Sequence, residues 1–172
     1  MPIHQSLIAE LQTEAAKTRK MLERVPVEKN GWAPHAKSMK LGRLATHVAE
    51  LPGWITMTMA TDELDWANFN YKPVVADSIE DLLAKHDENV TQAIAILENC
   101  NDEDFDKPWT MRNGEQIYFT MPKSTALRTF ALSHMIHHRG QLSVYLRLLD
   151  VQVPGMFGPS ADEMPAPAEA TA

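Results

Sequence analysis

The chain has 172 residues, a formal net charge of -7 at pH 7, and 44% hydrophobic and 23% charged residues. This length can bury one core but is too short for two full-sized domains, so we predict a single domain over residues 1–157. The acidic balance and the scattered basic residues disfavour nucleic-acid binding. No apolar run approaches the roughly 20 residues that span a bilayer, so we expect no membrane-embedded segment.

The N-terminal segment and the cysteine content favour a reducing compartment. Residues 1–14 have neither the basic region nor the apolar region of a secretory signal. The single Cys100 cannot form an internal disulfide. We therefore expect a cytoplasmic protein.

Two amphipathic helices are predicted in the first third of the chain. Apolar residues recur at spacings near 3.6 over residues 6–24, and Pro26 ends this pattern. A second pattern covers residues 39–61 and contains Pro52. Because Pro52 cannot donate a hydrogen bond to the carbonyl of Val48, we predict a kink at this point.

The middle of the chain contains a long connection and a third helix. Residues 62–76 show no clean period and are predicted to be a connection. The third helix opens at Asp77 or Ser78, where Glu80 or Asp81 can complete a capping box, and ends near residue 99.

A hairpin, a fourth helix and a tail complete the chain. Asn113-Gly114 lies between two apolar runs and predicts a two-stranded hairpin with a type I′ turn. The fourth helix is predicted over residues 124–149, and residues 158–172 form a tail too poor in large apolar residues to pack. We therefore predict an all-α fold, a four-helix bundle with a small β-hairpin insert between helices three and four.

The C-terminal histidine cluster is the first feature with chemical content. On a straight helix that starts its apolar face at Leu127, His134 and His138 fall within roughly 20° of the centre of that face. His137 lies about 80° away from it, and Arg139 falls on the polar face, as a surface residue or one that supports a ligand.

Two inward imidazoles one turn apart can bind one cation. Left without a partner, each would bury ring nitrogens at a cost of about 1–3 kcal/mol. The alternative is that carboxylates or backbone groups satisfy both histidines within the core. The residues between them lack the glutamate of the HExxH motif, so a zinc protease of that type is not expected.

A third ligand should come from another helix. His47 lies at the edge of the apolar face of helix two, beside Trp54, although ordinary packing also explains a single histidine there. The remaining histidines are interpreted as surface residues: His4, His35 and His86.

Three motifs in order resemble the DinB-like proteins, the damage-inducible and YfiT-like superfamily. They are LATHVAELPGW with Trp32 and Lys37 upstream, HMIHHRGQLSVYLRLL, and VPGMFGPSADE, and the match covers residues 32–163. The resemblance implies a bundle whose helices run down, up, up, down, and homodimers in many relatives. It also implies a divalent metal held by three histidines, which in this chain are His47, His134 and His138.

The resemblance implies several activities without choosing among them. Family members with assigned activity include S-transferases and a maleylpyruvate isomerase that use low-molecular-weight thiols, and others resemble hydrolases. Three imidazoles suit zinc or nickel, and also iron or cobalt, and leave a coordination position open. We expect a metal-dependent enzyme that activates a small thiol for a small-molecule substrate, or a hydrolase that uses bound hydroxide. A third possibility is a non-catalytic metal-binding or ligand-binding stress protein.

Five further residues are candidates for contact with a bound molecule. Gln141 and Tyr145 follow His138 on the same helix face and could contact a water or substrate, or could simply be core residues. Glu50 is one turn from His47 but points mostly to the polar side, which makes it a weak candidate for a general base. Trp32 and Trp54 could wall a pocket, although packing is their ordinary role.

Overall fold

The computed structural model describes residues 2–164 and shows a mostly helical protein with one small, mixed three-stranded sheet. The helices are α1 (Ile3–Leu22), α2 (Leu41–Glu50), α3 (Gly53–Ala60), α4 (Ile79–Glu98), α5 (Lys123–Leu127) and α6 (Ser133–Leu148), and the strands are β1 (Glu63–Asp65), β2 (Pro108–Asn113) and β3 (Gln116–Pro122). Two short 3₁₀ helices cover Val27–Lys29 and Asp102–Asp106. Within residues 2–164, none of the helices combines the length and the apolar character that a bilayer crossing requires.

Helix α1 begins earlier than the periodicity predicts. Its first residue, Ile3, donates its backbone N–H to Asp102 Oδ1 at 2.8 Å. Free N–H groups at a helix start need such acceptors. Because the acceptor lies 99 residues away along the chain, the local pattern does not reveal where the helix starts.

The kink predicted at Pro52 is confirmed. Helix α2 ends at Glu50 and α3 begins at Gly53, so the pattern predicted as one helix is two short ones. Next to this break, the side-chain amide of Asn89 on α4 donates to the backbone carbonyl of Ala49 at 3.1 Å. The neighbouring helix thereby supplies a partner to a carbonyl at the end of α2.

Helix α4 begins where the sequence predicts. Ser78 is its N-cap, and the Ser78 hydroxyl accepts a hydrogen bond from the backbone N–H of Asp81 at 3.0 Å. His86 on this helix is only 1% exposed, so its interpretation as a surface histidine is wrong. The polar residues around it in the sequence concealed the fact that α4 packs against α1 on this side.

The hairpin is present, but its turn differs from the prediction. Gly114 and Glu115 form the two-residue turn, and Asn113 pairs with Gln116. Of the two turn residues, only Gly114 has a positive φ, 59°, so the predicted type I′ turn, which needs two positive values, is wrong. Glycine first in the turn is the pattern of type II′.

The sheet also contains a strand that the sequence did not indicate. Strand β1 lies in the segment predicted as a long connection and pairs in parallel with β2. Asp65 at its end accepts hydrogen bonds from the backbone N–H groups of Gly114 at 2.8 Å and Ala67 at 3.0 Å. This carboxylate ties the start of the connection to the hairpin turn.

The last long helix contains a π-helical segment, Arg128–Leu132, between α5 and α6. The residues of α6 that are buried are Met135, Arg139, Leu142, Tyr145 and Leu146. On a straight helix these would be centred roughly 70° away from Leu127. The wider π turn rotates the residues that follow it, so α6 buries a face next to the predicted one. His134 and His138 are half-buried as a result, at the margin of the core.

Arg139 is 2% exposed, so its placement on the polar face is wrong. Its guanidinium donates to Glu14 Oε2 at 2.5 Å, to the Glu14 carbonyl at 3.0 Å and to Thr18 Oγ1 at 3.1 Å. Burial raises the pKa of Glu14, but hydrogen bonds from Lys17 and Arg139 outweigh burial and hold it below its usual value. This ion pair joins α1 to α6.

Residues 158–164, the described part of the predicted tail, form no helix or strand and are hydrogen-bonded to the rest of the protein. Asp162 accepts a hydrogen bond from Arg147 Nη1 at 3.0 Å, and Glu163 accepts one from the Gly155 N–H at 2.9 Å. The rest of the predicted tail, residues 165–172, lies outside the described residues.

Glu14→Gln is expected to lower the free energy of unfolding by roughly 3 kcal/mol, because it leaves the buried Arg139 charge without its partner. The matched control is Glu23→Gln, which removes a carboxylate from an exposed pair with Arg19 and is expected to cost under about 1 kcal/mol. Urea denaturation of both variants and the wild type measures the difference. Equal losses in the two variants would contradict a dominant role for the buried pair.

Candidate metal centre

Three histidines from two neighbouring helices come together beside the core. His47 lies on α2, and His134 and His138 lie on α6. The Nε2 atom of His134 is 3.5 Å from that of His47 and 2.8 Å from that of His138. One ligand atom from each of the three lies within 4.8 Å of the others. The structure thus brings together the three residues that the sequence singled out.

The outer ring nitrogens of the α6 pair face hydrogen-bond acceptors. His138 Nδ1 is 2.7 Å from Gln141 Oε1, and His134 Nδ1 is 3.4 Å from the carbonyl oxygen of Phe130. The tautomer with the proton on Nδ1 satisfies both contacts. Each Nε2 atom then presents a lone pair to the centre of the cluster.

His47 has a charged surrounding on its outer side. Its Nδ1 atom lies 3.4 Å from Arg43 Nη2 and 4.0 Å from Glu50 Oε2. Arg43 donates to Glu50 at 2.8 Å, and the Tyr71 hydroxyl donates to the same carboxylate at 3.0 Å. A carboxylate behind a histidine is a common arrangement at metal sites, since it orients the ring.

The donor set fits a divalent metal ion. Two lone pairs that face each other across 2.8 Å repel, and a cation between them would replace this repulsion by attraction. Zinc–nitrogen bonds of about 2.0–2.1 Å in a tetrahedral site place ligand nitrogens roughly 3.4 Å apart. The 3.5 Å between His47 and His134 matches this spacing, and the His134–His138 pair must open slightly to reach it.

All three imidazoles are held in the neutral form that metals bind. Burial, followed by the neighbouring His138, His134 and Arg43, lowers the pKa of His47 to about 4. Burial is also the largest cause that lowers the pKa of His134 and that of His138. Near neutral pH, no proton has to leave before an ion can enter.

The other candidate residues near the cluster lie partly at the surface, partly in the core and partly against a ligand. His137 is exposed on the flank, outside the cluster, as helical phase predicted. The Tyr145 hydroxyl donates to the Met39 carbonyl at 3.1 Å, and its ring packs edge-on against Trp32, with centroids 5.6 Å apart. Tyr145 and Trp32 therefore contribute to the core, whereas Gln141 contacts His138 directly.

A cavity of about 500 Å³ opens beside His47. Its lining residues are Met39, Arg43, His47, Glu50, Gly53, Trp54, Met57, Trp66, Phe69 and Tyr71. Trp54 lines this cavity, as proposed from the sequence. Glu50 lines it as well, although helical phase pointed this residue toward the polar side. The spacing of three residues between His47 and Glu50 was the indication that both share one helix face.

Sequence reasoning missed the aromatic wall of the cavity. Trp66, Phe69 and Tyr71 come from the segment after β1, which was predicted only as a connection. The available indication was the concentration of aromatic residues in a stretch without helical or strand periodicity.

Comparison with known proteins identifies a family whose model matches almost the whole chain. The sequence model of the DinB family matches residues 1–169. The uncharacterized protein YrdA of Bacillus subtilis (strain 168) is 29% identical over 154 residues, which cover 87% of this chain and 85% of that protein.

Two solved structures share the fold. A DinB-like protein from Bacillus cereus ATCC 10987 gives a TM-score of 0.65 at 24% identity, covering 85% of this chain and 92% of that one. The DinB-like protein YjoA from Bacillus subtilis gives a TM-score of 0.67 at 19% identity, covering 88% and 97%. At these identities the likeness concerns the fold alone.

The His47 ring of the metal-free protein is expected to gain its proton only near pH 4, far below the roughly 6.5 of a histidine in an unfolded chain. Between these values the unfolded chain binds the proton and the folded protein does not. The stability that depends on a neutral His47 is therefore complete above about pH 6.5 and falls as the pH drops toward 4. Ring ¹⁵N NMR titration, repeated in urea, measures both values, and a folded-state pKa near 6.5 would contradict the buried placement.

Proposed function

We propose that this chain, which belongs to the DinB family, binds one divalent metal ion through His47, His134 and His138. With the ion bound, it acts as a metal-dependent enzyme on a small thiol, as an S-transferase does. The observation that carries the proposal is the convergence of the three Nε2 atoms. Zinc and nickel suit imidazole ligands best here, and iron or cobalt are acceptable.

The donor set supports a catalytic role over a structural one. Structural zinc sites are closed by four protein ligands, whereas catalytic sites keep a position free. Within residues 2–164, the cluster contains three ligands. A divalent ion held by three neutral imidazoles keeps its full charge and an open position, and when bound it lowers the pKa of a thiol or water ligand.

The surrounding residues position the imidazoles. Gln141 Oε1 lies 2.7 Å from His138 Nδ1, and the carbonyl oxygen of Phe130 lies 3.4 Å from His134 Nδ1. Such partners select the tautomer and the ring orientation that a ligand needs. We assign Gln141 a positioning role on this basis.

The cavity lies beside one member of the cluster. His47 is the member of the triad that lines this cavity. A substrate in the cavity would therefore approach the triad from the α2 side, with Glu50 and Arg43 next to it.

Glu50 favours a second candidate function, a metal-dependent hydrolase. Its carboxylate lines the cavity 4.0 Å from His47 Nδ1, where it could accept a proton from an attacking water. The pairing of Glu50 with Arg43 opposes this role, because the guanidinium donates a hydrogen bond to the carboxylate and orients it toward Arg43. We therefore rank hydrolysis second.

The proposal includes the family arrangement of the long helices as a down, up, up, down four-helix bundle, and a homodimeric assembly. Contacts of α2 with both α4 and α6 are compatible with that arrangement. Val144 and Leu148 on α6 are each 56% exposed and offer apolar surface for a second copy.

Metal binding is tested with tag-free, metal-stripped protein. The wild type is expected to bind one Zn²⁺ or Ni²⁺ per chain. His134→Ala is expected to lose more than about 100-fold in metal affinity, because loss of a residue that only hydrogen-bonds to a ligand already lowers the affinity about 10–100-fold. His137→Ala is the matched control, because this exposed neighbour lies outside the cluster. Calorimetry and elemental analysis measure both variants. Stoichiometric metal in His134→Ala would contradict the site.

The reaction class is tested with metal-loaded protein, a panel of low-molecular-weight thiols, and alkyl or aryl electrophiles. The S-transferase proposal expects turnover that requires the thiol and disappears in His134→Ala. Ester or amide cleavage without thiol, reduced at least about tenfold by Glu50→Gln, would support the hydrolase instead. Absence of both activities from protein that binds metal would contradict both reaction classes.

A further inference from the structure

The cavity beside the triad has a continuous aromatic wall. Trp54 lies 6.4 Å from Trp66, Trp66 lies 5.7 Å from Phe69, and Phe69 lies 6.3 Å from Tyr71, measured between ring centroids. The last two rings are nearly parallel, with an angle of 3° between their planes. A wall of this kind offers flat surfaces on which another ring can stack.

The charges at the cavity are already compensated. Arg43 Nη2 donates to Glu50 at 2.8 Å and to the Tyr71 hydroxyl, and Arg43 Nη1 donates to the Val74 carbonyl at 3.1 Å. Both members of the Arg43–Glu50 pair are less than one fifth exposed. A charged ligand would have to compete with this pair, whereas a neutral ligand leaves it intact.

Three aromatic side chains of the wall leave a large part of their apolar surface exposed to water. Trp66 is 36% exposed, Phe69 42% and Tyr71 43%. Side chains of this size stabilise a structure when their apolar area leaves water. A bound molecule with its own apolar faces would cover this area, and a cavity of about 500 Å³ has room for a two- or three-ring compound.

We propose that this cavity binds a neutral, flat aromatic small molecule, which packs against the wall of Trp54, Trp66 and Phe69 with one end at His47. As a statement about substrate class this rests on the proposed function, since the triad would supply the chemistry at that end. The preference for a neutral aromatic ligand follows from the cavity alone and does not require a metal.

The test uses two fluorescent probes with one skeleton. N-phenyl-1-naphthylamine is neutral, and 8-anilinonaphthalene-1-sulfonate adds a negative charge to the same rings. Titration of the metal-free wild type is expected to show saturable binding of the neutral probe, at least about tenfold tighter than that of the sulfonate. Equal or tighter binding of the sulfonate would overturn the charge argument.

Substitutions locate the probe. Phe69→Ala is expected to weaken binding of the neutral probe about tenfold, because it removes one stacking surface. The matched control is Tyr118→Ala, which removes an aromatic side chain of similar exposure, 49%, from β3 outside the cavity. Equal effects of the two variants would overturn the proposed location. Unchanged circular dichroism and thermal midpoints establish that both variants fold.

Glu50→Gln tests the compensation of charge directly. Without the carboxylate, Arg43 retains an uncompensated positive charge at the cavity, so the sulfonate is expected to gain about tenfold relative to the neutral probe. An unchanged ratio would show that the Arg43–Glu50 pair does not set the selectivity and would overturn that part of the proposal.

The cavity proposal and the metal-site proposal can be contradicted independently of each other. His134→Ala is expected to lose metal and still bind the neutral probe as the wild type does, and ring NMR of the wild type should show the probe shifting His47 signals more than those of His137. A wild type that binds metal but not the probe would overturn the cavity proposal and leave the metal site standing. A wild type that binds the probe but no metal would overturn the metal site and leave the cavity proposal standing.

Discussion

The phase of the last helix is the constraint on which the remaining structure depends. The π-helical segment Arg128–Leu132 rotates α6 so that Arg139 enters the core and pairs with Glu14, while His134 and His138 come to lie at the margin beside α2. The margin is the place where a metal ligand is useful, since a fully buried histidine offers no open side. One local irregularity therefore supports both the main polar contact of the core and the candidate site, as π-helical turns often do near functional residues.

Much of the fold could be predicted from the sequence because apolar periodicity reports which face of a helix is buried. The kink at Pro52 and the cap at Ser78 follow from local chemistry in the same way. The predictions of helix and strand bounds failed where a residue far away in the sequence determines the local structure. Asp102 extends α1 to Ile3, and β1 forms only because β2 lies next to it. The predicted buried face of α6 was wrong because the prediction assumed a straight helix, whereas the π-helical segment rotates the residues that follow it.

The juxtaposition of the three histidines was predictable, and the cavity was not. His134 and His138 share a helix face whether or not the helix is straight, and the motif around His47 supplied the third residue. Trp66, Phe69 and Tyr71 lie in a segment without a period, so their relation to His47 depends on tertiary structure alone. The same holds for Glu50, whose closeness to the site depends on Arg43 and Tyr71.

The two halves of the site have different structural origins. The histidines belong to regular helices packed on the core, whereas Trp66, Phe69 and Tyr71 belong to an irregular segment whose start is fastened to the hairpin turn by the Asp65 carboxylate. An irregular segment tolerates replacement and changes in length more readily than a packed helix. Under the proposed function, descendants of this chain could therefore change the molecule that the cavity binds through the segment after β1 alone, with the three imidazoles inherited unchanged.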